Sequence, residues 1–357
     1  PLCCLLVSQG GIAVEQFNTK IDSVRGSSLI EVKELKKYFR VGDKNLLHAI
    51  DGVSFSVQRG ETLGLVGESG CGKSTVGTVM MRLQPPTSGE VLMGGKNIFQ
   101  TKGRTEDLEL RKRMQIIFQD PYSSLNPKKR IRDILAEAYK IHKTCTKEQL
   151  EDTINQLCEM TGISPDMLLQ YPHELDGGKR QVVGIARALS LRPEFIVCDE
   201  PVSALDVSVQ AKIINLLMDL QKRMNLSYLF ISHDLSVVKH ISHRIAVMYL
   251  GQIVELASKD DLFIDTRHPY SIALLSAIPK VDVERKVKRI VLKGDVPSPI
   301  NPRPICRFAS RCWMSQEVCF QKEPPLREVS PGHCVACHFA DQSREKMKSA
   351  TVVGIDR

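Results

Sequence analysis

Apolar and polar positions change their period several times along the chain. From residue 29 the pattern is that of strands: 29–35, 49–57 and 61–66 are apolar or β-branched runs separated by glycine or charged turns. From 73 to 83 the period becomes helical, and Gln84-Pro85-Pro86-Thr87-Ser88-Gly89 closes it, since no helix continues through that cluster. Helices are predicted again over 131–139, 147–160, 178–189 and 235–241. The segment 208–224 places Val209, Ile213, Leu216, Leu217 and Leu220 on one stripe with polar residues opposite. Between these lie predicted strands at 195–198, 228–231, 244–249 and 252–256. Strands alternating with helices of this length predict an α/β domain with a largely parallel sheet. The mostly helical stretch from 121 to about 190 reads as a subdomain inserted into it.

Outside 29–256 the texture differs. Residues 1–28 hold no sustained period and read as a flexible N-terminal extension. Residues 257–296 form a linker with a basic stretch at 280–293, after which Pro297, Pro299, Pro302 and Pro304 favour an extended backbone. A small Cys-rich unit follows over 297–340, and the polar 341–357 tail reads as disordered.

Composition narrows the class without choosing a function. In 357 residues, 42% are hydrophobic and 25% charged, which excludes a disordered chain, a collagen and a pure coiled coil. No apolar run approaches the roughly 18 residues of a membrane span, and Leu2 to Val7 lacks the basic flank of a signal peptide. The +8 net charge, spread over this length, fits simple solvation and does not define a basic patch. With no export signal, the eleven cysteines read as reduced thiols or metal ligands, and five of them fall between Cys306 and Cys337.

One motif carries specific chemistry. Gly67-Glu68-Ser69-Gly70-Cys71-Gly72-Lys73-Ser74 fits G-x-x-x-x-G-K-[ST] and lies between a buried strand and a helix, as that motif must. Its glycines let backbone N–H groups turn inward at a helix N-terminus whose dipole already favours phosphate. Lys73 then reaches the β- and γ-phosphates, and Ser74 holds Mg2+. The strand 195–198 runs into Asp199 and Glu200, and buried carboxylates are costly unless used. Asp199 is suited to hold Mg2+ through its water shell, and Glu200 to act as general base on the attacking water.

Leu175-Asp176-Gly177-Gly178-Lys179-Arg180-Gln181 resembles the signature of ABC-type ATPases, usually Leu-Ser-Gly-Gly-Gln. Gln119 resembles their Q-loop glutamine, Ser203-Ala204-Leu205-Asp206 their D-loop, and His233 their switch histidine. The resemblance spans 29 to about 340 and implies a P-loop ABC ATPase. That fold has a mainly parallel sheet core, an antiparallel β part and the helical insertion, with the Cys-rich unit added. It implies ATP contacts from Phe39, with Tyr38 as the fallback, and from Gly67, Ser69, Gly70, Cys71, Gly72, Lys73, Ser74 and Thr75. Ser74, Gln119 and Asp199 are implied Mg2+ ligands, and Glu200, His233 and Gln119 the catalytic set. Asp176, Gly177, Gly178, Lys179 and Asp206 are implied to face a partner subunit, whose own signature closes this chain's site.

Asp176 departs from the family's serine, Lys179 from its glutamine and Val182 from a common arginine. Aspartate caps a helix as well as serine does. A carboxylate about 4 Å from a phosphate charge, however, costs up to about 4 kcal/mol at an effective dielectric of 20, before relief from Lys179. The expectation is that this chain's loop forms a competent site with its partner's signature, while the site completed by Asp176 is weak.

The segments 119–127, 197–208, 268–270 and 274–279 are similar to the oligopeptide/dipeptide permease ATPases, closest to their F-type subunit. This implies a peripheral subunit on the cytoplasmic face of the membrane. It works beside a paralogous D-type ATPase on two transmembrane permease chains, fed by an extracellular solute-binding protein, with no nucleic acid involved. Close relatives carry nickel, glutathione or oligosaccharides. Two other classes compete: a soluble ABC machine acting on DNA or ribosomes, which would carry tandem ATPase domains or long coiled coils, and a regulatory subunit that does not hydrolyse. Glu200 and His233 speak against the second.

The cysteines carry a signal of their own. Only Cys334 and Cys337 form a C-x-x-C knuckle, where a zinc ribbon wants two. Four thiolates on irregular loops suit an iron-sulfur centre better, with zinc and free buried thiols as alternatives. The peptide-permease family carries a 4Fe-4S cluster on four cysteines that match Cys306, Cys312, Cys319 and Cys337, leaving Cys334 extra.

Overall fold

A computed structural model describes residues 28–278, 290–292 and 294–342. The N-terminal extension up to 27, most of the basic 280–293 stretch and the tail from 343 onward lie outside the described residues. In chain order the strands are β1 (Ile30–Val41), β2 (Asn45–Val57), β3 (Thr62–Val66), β4 (Ser88–Met93), β5 (Lys96–Asn97), β6 (Met114–Ile117), β7 (Phe195–Asp199), β8 (Ser227–Ser232), β9 (Arg244–Tyr249), β10 (Gln252–Ser258), β11 (Arg327–Ser330) and β12 (His333–Val335). They form an antiparallel sheet in the order β2-β1-β4-β5 and a larger one in the order β11-β12-β10-β9-β3-β8-β7-β6. From β9 to β6 the larger sheet is parallel; β10, β12 and β11 extend it antiparallel.

Every residue of β3, β7 and β8 is buried, as a parallel sheet covered on both faces requires. Successive side chains divide between two cores. Val66, Cys198, Phe230 and Val247 join the core shared with the helical insertion. Leu65, Val197, Leu229, Ile231 and Met248 join the core under the antiparallel sheet and the Lys73–Met80 helix. In the insertion, the Gly177–Leu189 helix buries Val183, Ile185, Ala186 and Leu189 against the Ile131–His142 and Leu150–Thr161 helices.

Several local features differ from the sequence reading. The first helix ends at Met80 rather than at 83, with Arg82 in the left-handed region just after it. β1 and β2 run on through 36–48 as an exposed hairpin, where no buried face imposes alternation. β4, β5, β6 and the Gly103–Arg113 helix were not predicted. That helix buries none of its residues, so it carries no apolar stripe. β4 starts inside the Pro/Ser/Gly cluster and needs its glycine, since a Cβ on Gly89 would lie 2.3 Å from Glu34 O.

The Cys-rich segment is woven into the larger sheet. β12 pairs with β10 through Glu255↔Val335 and Leu256↔Cys334, and Phe308 sits in the same core as the central strands.

Candidate active site

The neighbouring parallel strands β3, β8, β7 and β6 end on one edge of the sheet, the edge where α/β folds bind ligands. The residues that follow them, Gly67, His233, Glu200 and Gln119, are therefore brought together although they are far apart in sequence. Of these, Gln119, Glu200 and His233 border a cavity of about 530 Å³ whose wall also includes Ser69 to Thr75.

The loop after β3 is squeezed between β9 and β2. A Cβ on Gly67 would lie 2.2 Å from Met248 O, and one on Gly72 2.0 Å from Ala49 O, so neither position tolerates a side chain. Gly72 also adopts a φ of 107° as it caps the Lys73–Met80 helix. Lys73 is buried, its Nζ donating to Gly67 O at 2.9 Å and Glu68 O at 3.0 Å. The ammonium thus lies over the mouth of its own loop. Cys71 is buried beneath, and burial raises its thiol pKa.

Across the cavity, Ser74 Oγ donates to Asp199 Oδ1 at 2.8 Å. Burial pushes the Asp199 carboxyl above its ordinary range; the Ser74 hydroxyl pulls it back, the Glu200 charge adds to the rise, and Lys73 opposes it. A buried carboxylate paired with a hydroxyl in this way gains from a divalent cation, so the donors present fit Mg2+. Glu200 has a φ of 45°, a left-handed conformation that costs on the order of 1 kcal/mol in a residue with a side chain. Its N–H is anchored on Ile231 O at 3.0 Å. Its carboxylate accepts from Gln119 Nε2 at 3.1 Å and meets His233 Nδ1 at 3.1 Å. Glu200, Gln119 and His233 thus form one contacting group, the glutamine through a hydrogen bond and the histidine through a close carboxylate–imidazole contact.

Phe39 lines the cavity and Tyr38 does not. The Tyr38 ring stacks on His48 at 3.9 Å, and its hydroxyl donates to Asp51 at 2.5 Å.

The signature residues stand apart from this cavity. Asp176 Oδ1 accepts from Lys179 N at 2.8 Å, capping the Gly177–Leu189 helix, and Lys179 Nζ reaches Asp176 Oδ2 at 3.3 Å. Both side chains are exposed. A Cβ on Gly178 would lie 2.7 Å from Val209 Cγ1, and one on Gly177 3.3 Å from Leu205 Cδ2. The 176–179 turn is therefore packed against 205–209, with Asp206 exposed, apart from the cavity.

The sequence reading did not find Leu47, His48, Ala49, Leu250 and Gly251 in the cavity wall, nor the neighbours that the C-terminal segment supplies. Pro299 joins the cavity wall, and His48 N donates to Pro299 O at 3.0 Å. Arg307 pairs with Asp51 and Leu250 O, and Arg311 with Glu68 inside the phosphate loop. Contacts across some 250 residues leave no local pattern to read.

Cys306, Cys312, Cys319 and Cys337 line a second, small cavity with His268 and Phe308. Met314 N and Phe339 N each donate at 3.4 Å, to Cys312 Sγ and Cys337 Sγ. Burial pushes the Cys306 thiol up to about 11 and the Cys312 thiol up to about 12. Cys334 lies on β12, outside that cavity. Among the described residues, no group of three or more His, Cys, Asp or Glu side chains is placed to hold a metal ion.

Comparison with known proteins matches residues 50–203 to the ABC transporter family and 254–319 to the oligopeptide/dipeptide transporter C-terminal region. The oligopeptide transport ATP-binding protein AppF of Bacillus subtilis is 48% identical, covering 87% of this chain and 97% of its own length. The putative oligopeptide transport ATP-binding protein YkfD of the same organism is 49% identical over 91% and 99%. A putative peptide import ATP-binding protein of Brucella ovis is 48% identical over 87% and 97%. Among solved structures, cbiO1 of Clostridium perfringens, part of the transporter complex cbiONQ, superposes with a TM-score of 0.58 at 26% identity, covering 66% of this chain and 90% of that one. The ATP-binding cassette MJ0796, solved as a dimer bound to ADP and Pi, gives 0.59 at 24% identity over 64% and 98%, a likeness of fold. With its phosphate loop, its strand-end carboxylates and relatives of nearly full length, the chain belongs to the ABC transporter ATP-binding family, in the branch that carries the oligopeptide/dipeptide transporter C-terminal region.

Proposed function

We propose that this chain is the ATP-hydrolysing subunit of an importer of di- and oligopeptides. It sits peripherally at the cytoplasmic face of the membrane, on two permease chains and beside a paralogous D-type ATPase, with an extracellular solute-binding protein delivering cargo. The observation that carries the ATPase reading is the convergence of Lys73, Ser74, Gln119, Asp199, Glu200 and His233 on one sheet edge. Peptide cargo rests on the names of the relatives. Among the described residues no helix is long and apolar enough to cross a membrane, so the permease pore is assigned to other chains.

In this reading Phe39 stacks on the base, and the loop N–H groups and Lys73 bind the phosphates. Ser74, Asp199 and Gln119 would hold Mg2+, which neutralises charge shared between the β- and γ-phosphate oxygens. Glu200 takes a proton from the attacking water as its oxygen bonds to the γ-phosphorus and ADP departs. Gln119 and His233 orient that carboxylate. The face bearing Asp176, Gly177, Gly178, Lys179 and Asp206 lies outside the chain's own cavity, which suits a role in closing the partner's site. The cassette then spans 29–256 with its insertion at about 121–190, and the arm beyond 257 carries the Cys-rich segment.

Within that segment Cys306, Cys312, Cys319 and Cys337 are assigned to a 4Fe-4S cluster with a stapling role. What supports this assignment is that all four thiols line one cavity; against it, no group of three or more such side chains among the described residues is placed to hold a metal ion.

Assembled with its partner chains in vesicles, the wild type should hydrolyse ATP and take up a tripeptide, and Glu200→Gln should bind ATP but stop both. Hydrolysis stimulated by nickel, glutathione or an oligosaccharide and not by peptide would move the cargo; wild type without hydrolysis would remove the enzyme reading. Iron with acid-labile sulfide in anaerobically purified protein supports the cluster, and zinc without sulfide sinks it.

A further inference from the structure

We propose that Arg311, from the C-terminal segment, is a positioning residue for the phosphate loop, which makes that segment a working part of the nucleotide site. The inference rests on the reading of Gly67–Ser74 as the ATP cradle. The Arg311 side chain is only 8% exposed, yet its guanidinium forks onto Glu68: Nη1 to Oε2 at 3.0 Å and Nη2 to Oε1 at 3.4 Å. Glu68 is the second residue of the loop and is held from three directions. Its N–H donates to the Tyr270 hydroxyl at 2.8 Å, its carboxylate takes the arginine fork, and its carbonyl accepts from Lys73 Nζ at 3.0 Å. The carbonyl on which the phosphate-binding lysine rests therefore belongs to a residue whose side chain the C-terminal segment fixes. A planar guanidinium sets both the position and the orientation of a carboxylate, which an ammonium cannot do.

The same segment braces the loop from its other side. Arg307 pairs with Asp51 of β2 and with Leu250 O. Gly251, next along, donates its N–H to Cys71 O at 2.9 Å and accepts from Asp51 N at 2.8 Å. Arg311 Nε is buried and finds no partner among the described residues, so the cation depends on Glu68 and on a 3.4 Å contact to the Tyr249 hydroxyl. Removing Glu68 leaves a buried charge poorly compensated, which ties the two residues energetically.

The test measures ATP affinity on the purified full-length chain, beside its thermal midpoint, for Arg311→Met, Arg311→Lys, Glu68→Gln and the Arg311→Met/Glu68→Gln double variant. Loss of one charge-assisted pair predicts about tenfold weaker ATP binding for Arg311→Met and for Glu68→Gln. The double variant should be no weaker than either alone, and Arg311→Lys should recover only part of the loss. A purely structural role would lower the midpoint and leave affinity unchanged. Wild-type affinity in folded Arg311→Met and Glu68→Gln, or strictly additive losses, would overturn the proposal. Should Arg311→Met not fold, Glu68→Gln decides alone: weaker binding supports the assignment, and unaltered binding ends it. A wild-type chain that does not bind ATP would instead refute the cradle reading itself.

Discussion

The molecule presents two glycine-rich helix N-termini, and they are not equivalent. At the first, Gly72 and Lys73 lead into a helix packed on the buried strands β7 and β8, the lysine is buried, Ser74, Glu200 and His233 line the same cavity, and Asp199 is bonded to Ser74. At the second, Gly177 and Gly178 lead into a helix whose cap is the exposed Asp176, answered only by Lys179. Backbone N–H groups and the helix dipole are common to both, so they are not what separates the two ends. The surroundings do: one end carries a buried lysine with two carboxylates near it, whereas the other carries an exposed carboxylate and lies outside that cavity.

The largest expected effect lies at the first end. Glu200→Gln should lower turnover by roughly a hundredfold or more while sparing ATP affinity, and Asp176→Asn should leave this chain's own site intact. If both variants change turnover equally in single-site measurements, the two ends are not distinct. Glycine replacement sharpens the contrast. Gly72→Ala meets a backbone carbonyl at 2.0 Å and a φ of 107°, and should abolish nucleotide binding. Gly178→Ala meets a valine methyl at 2.7 Å and should cost about 1–3 kcal/mol in thermal unfolding, with the cradle preserved.

Asp176→Ser in the assembled complex comes next. The full Coulomb penalty at Asp176 is offset by Lys179 at 3.3 Å and by exposure, so about 1 kcal/mol, or some fivefold in turnover of the site it completes, is expected. No change in rate or affinity would remove the asymmetry between the two sites.

The last effect falls on stability in acid and not on turnover. Burial works to raise the pKa of Asp51, yet hydrogen bonds from His48 and Tyr38 and the Arg307 charge hold it below its ordinary 3.8. A carboxylate lowered on folding stabilises the protein fully above about pH 4 and loses that contribution as pH falls through its folded value. Asp51→Asn should thus flatten the acid limb of the stability profile and lower stability near neutrality by about 2 kcal/mol. Asp176 is also lowered, by the Lys179 N–H, but it is exposed, and Asp176→Ser should leave that limb nearly unchanged.

The sequence was informative wherever function or burial imposed a local pattern. The loop at 67–74 needs glycines at fixed offsets, and β7 needs an apolar run ending in Asp199 and Glu200, so both were legible. The exposed hairpin at 36–48 and the solvent-facing Gly103–Arg113 helix impose no such pattern, and both were missed. Pro299, Arg307 and Arg311 were illegible for another reason. An arginine looks alike whether it solvates a loop or grips a carboxylate 243 positions away, and only the folded chain shows which.

That separation has a bearing on synthesis. A ribosome releases Asp51 and Glu68 early, with the whole phosphate loop, but their guanidinium partners emerge 256 and 243 residues later. Until then the nascent cassette carries two carboxylates beside its loop without the arginines that hold them, and β10 exposes the edge that β12 will cover. A segment translated late is thus one that braces a loop translated early, and a transcript cut short after β10 would encode a nucleotide site that is spelled out in full but not yet fastened.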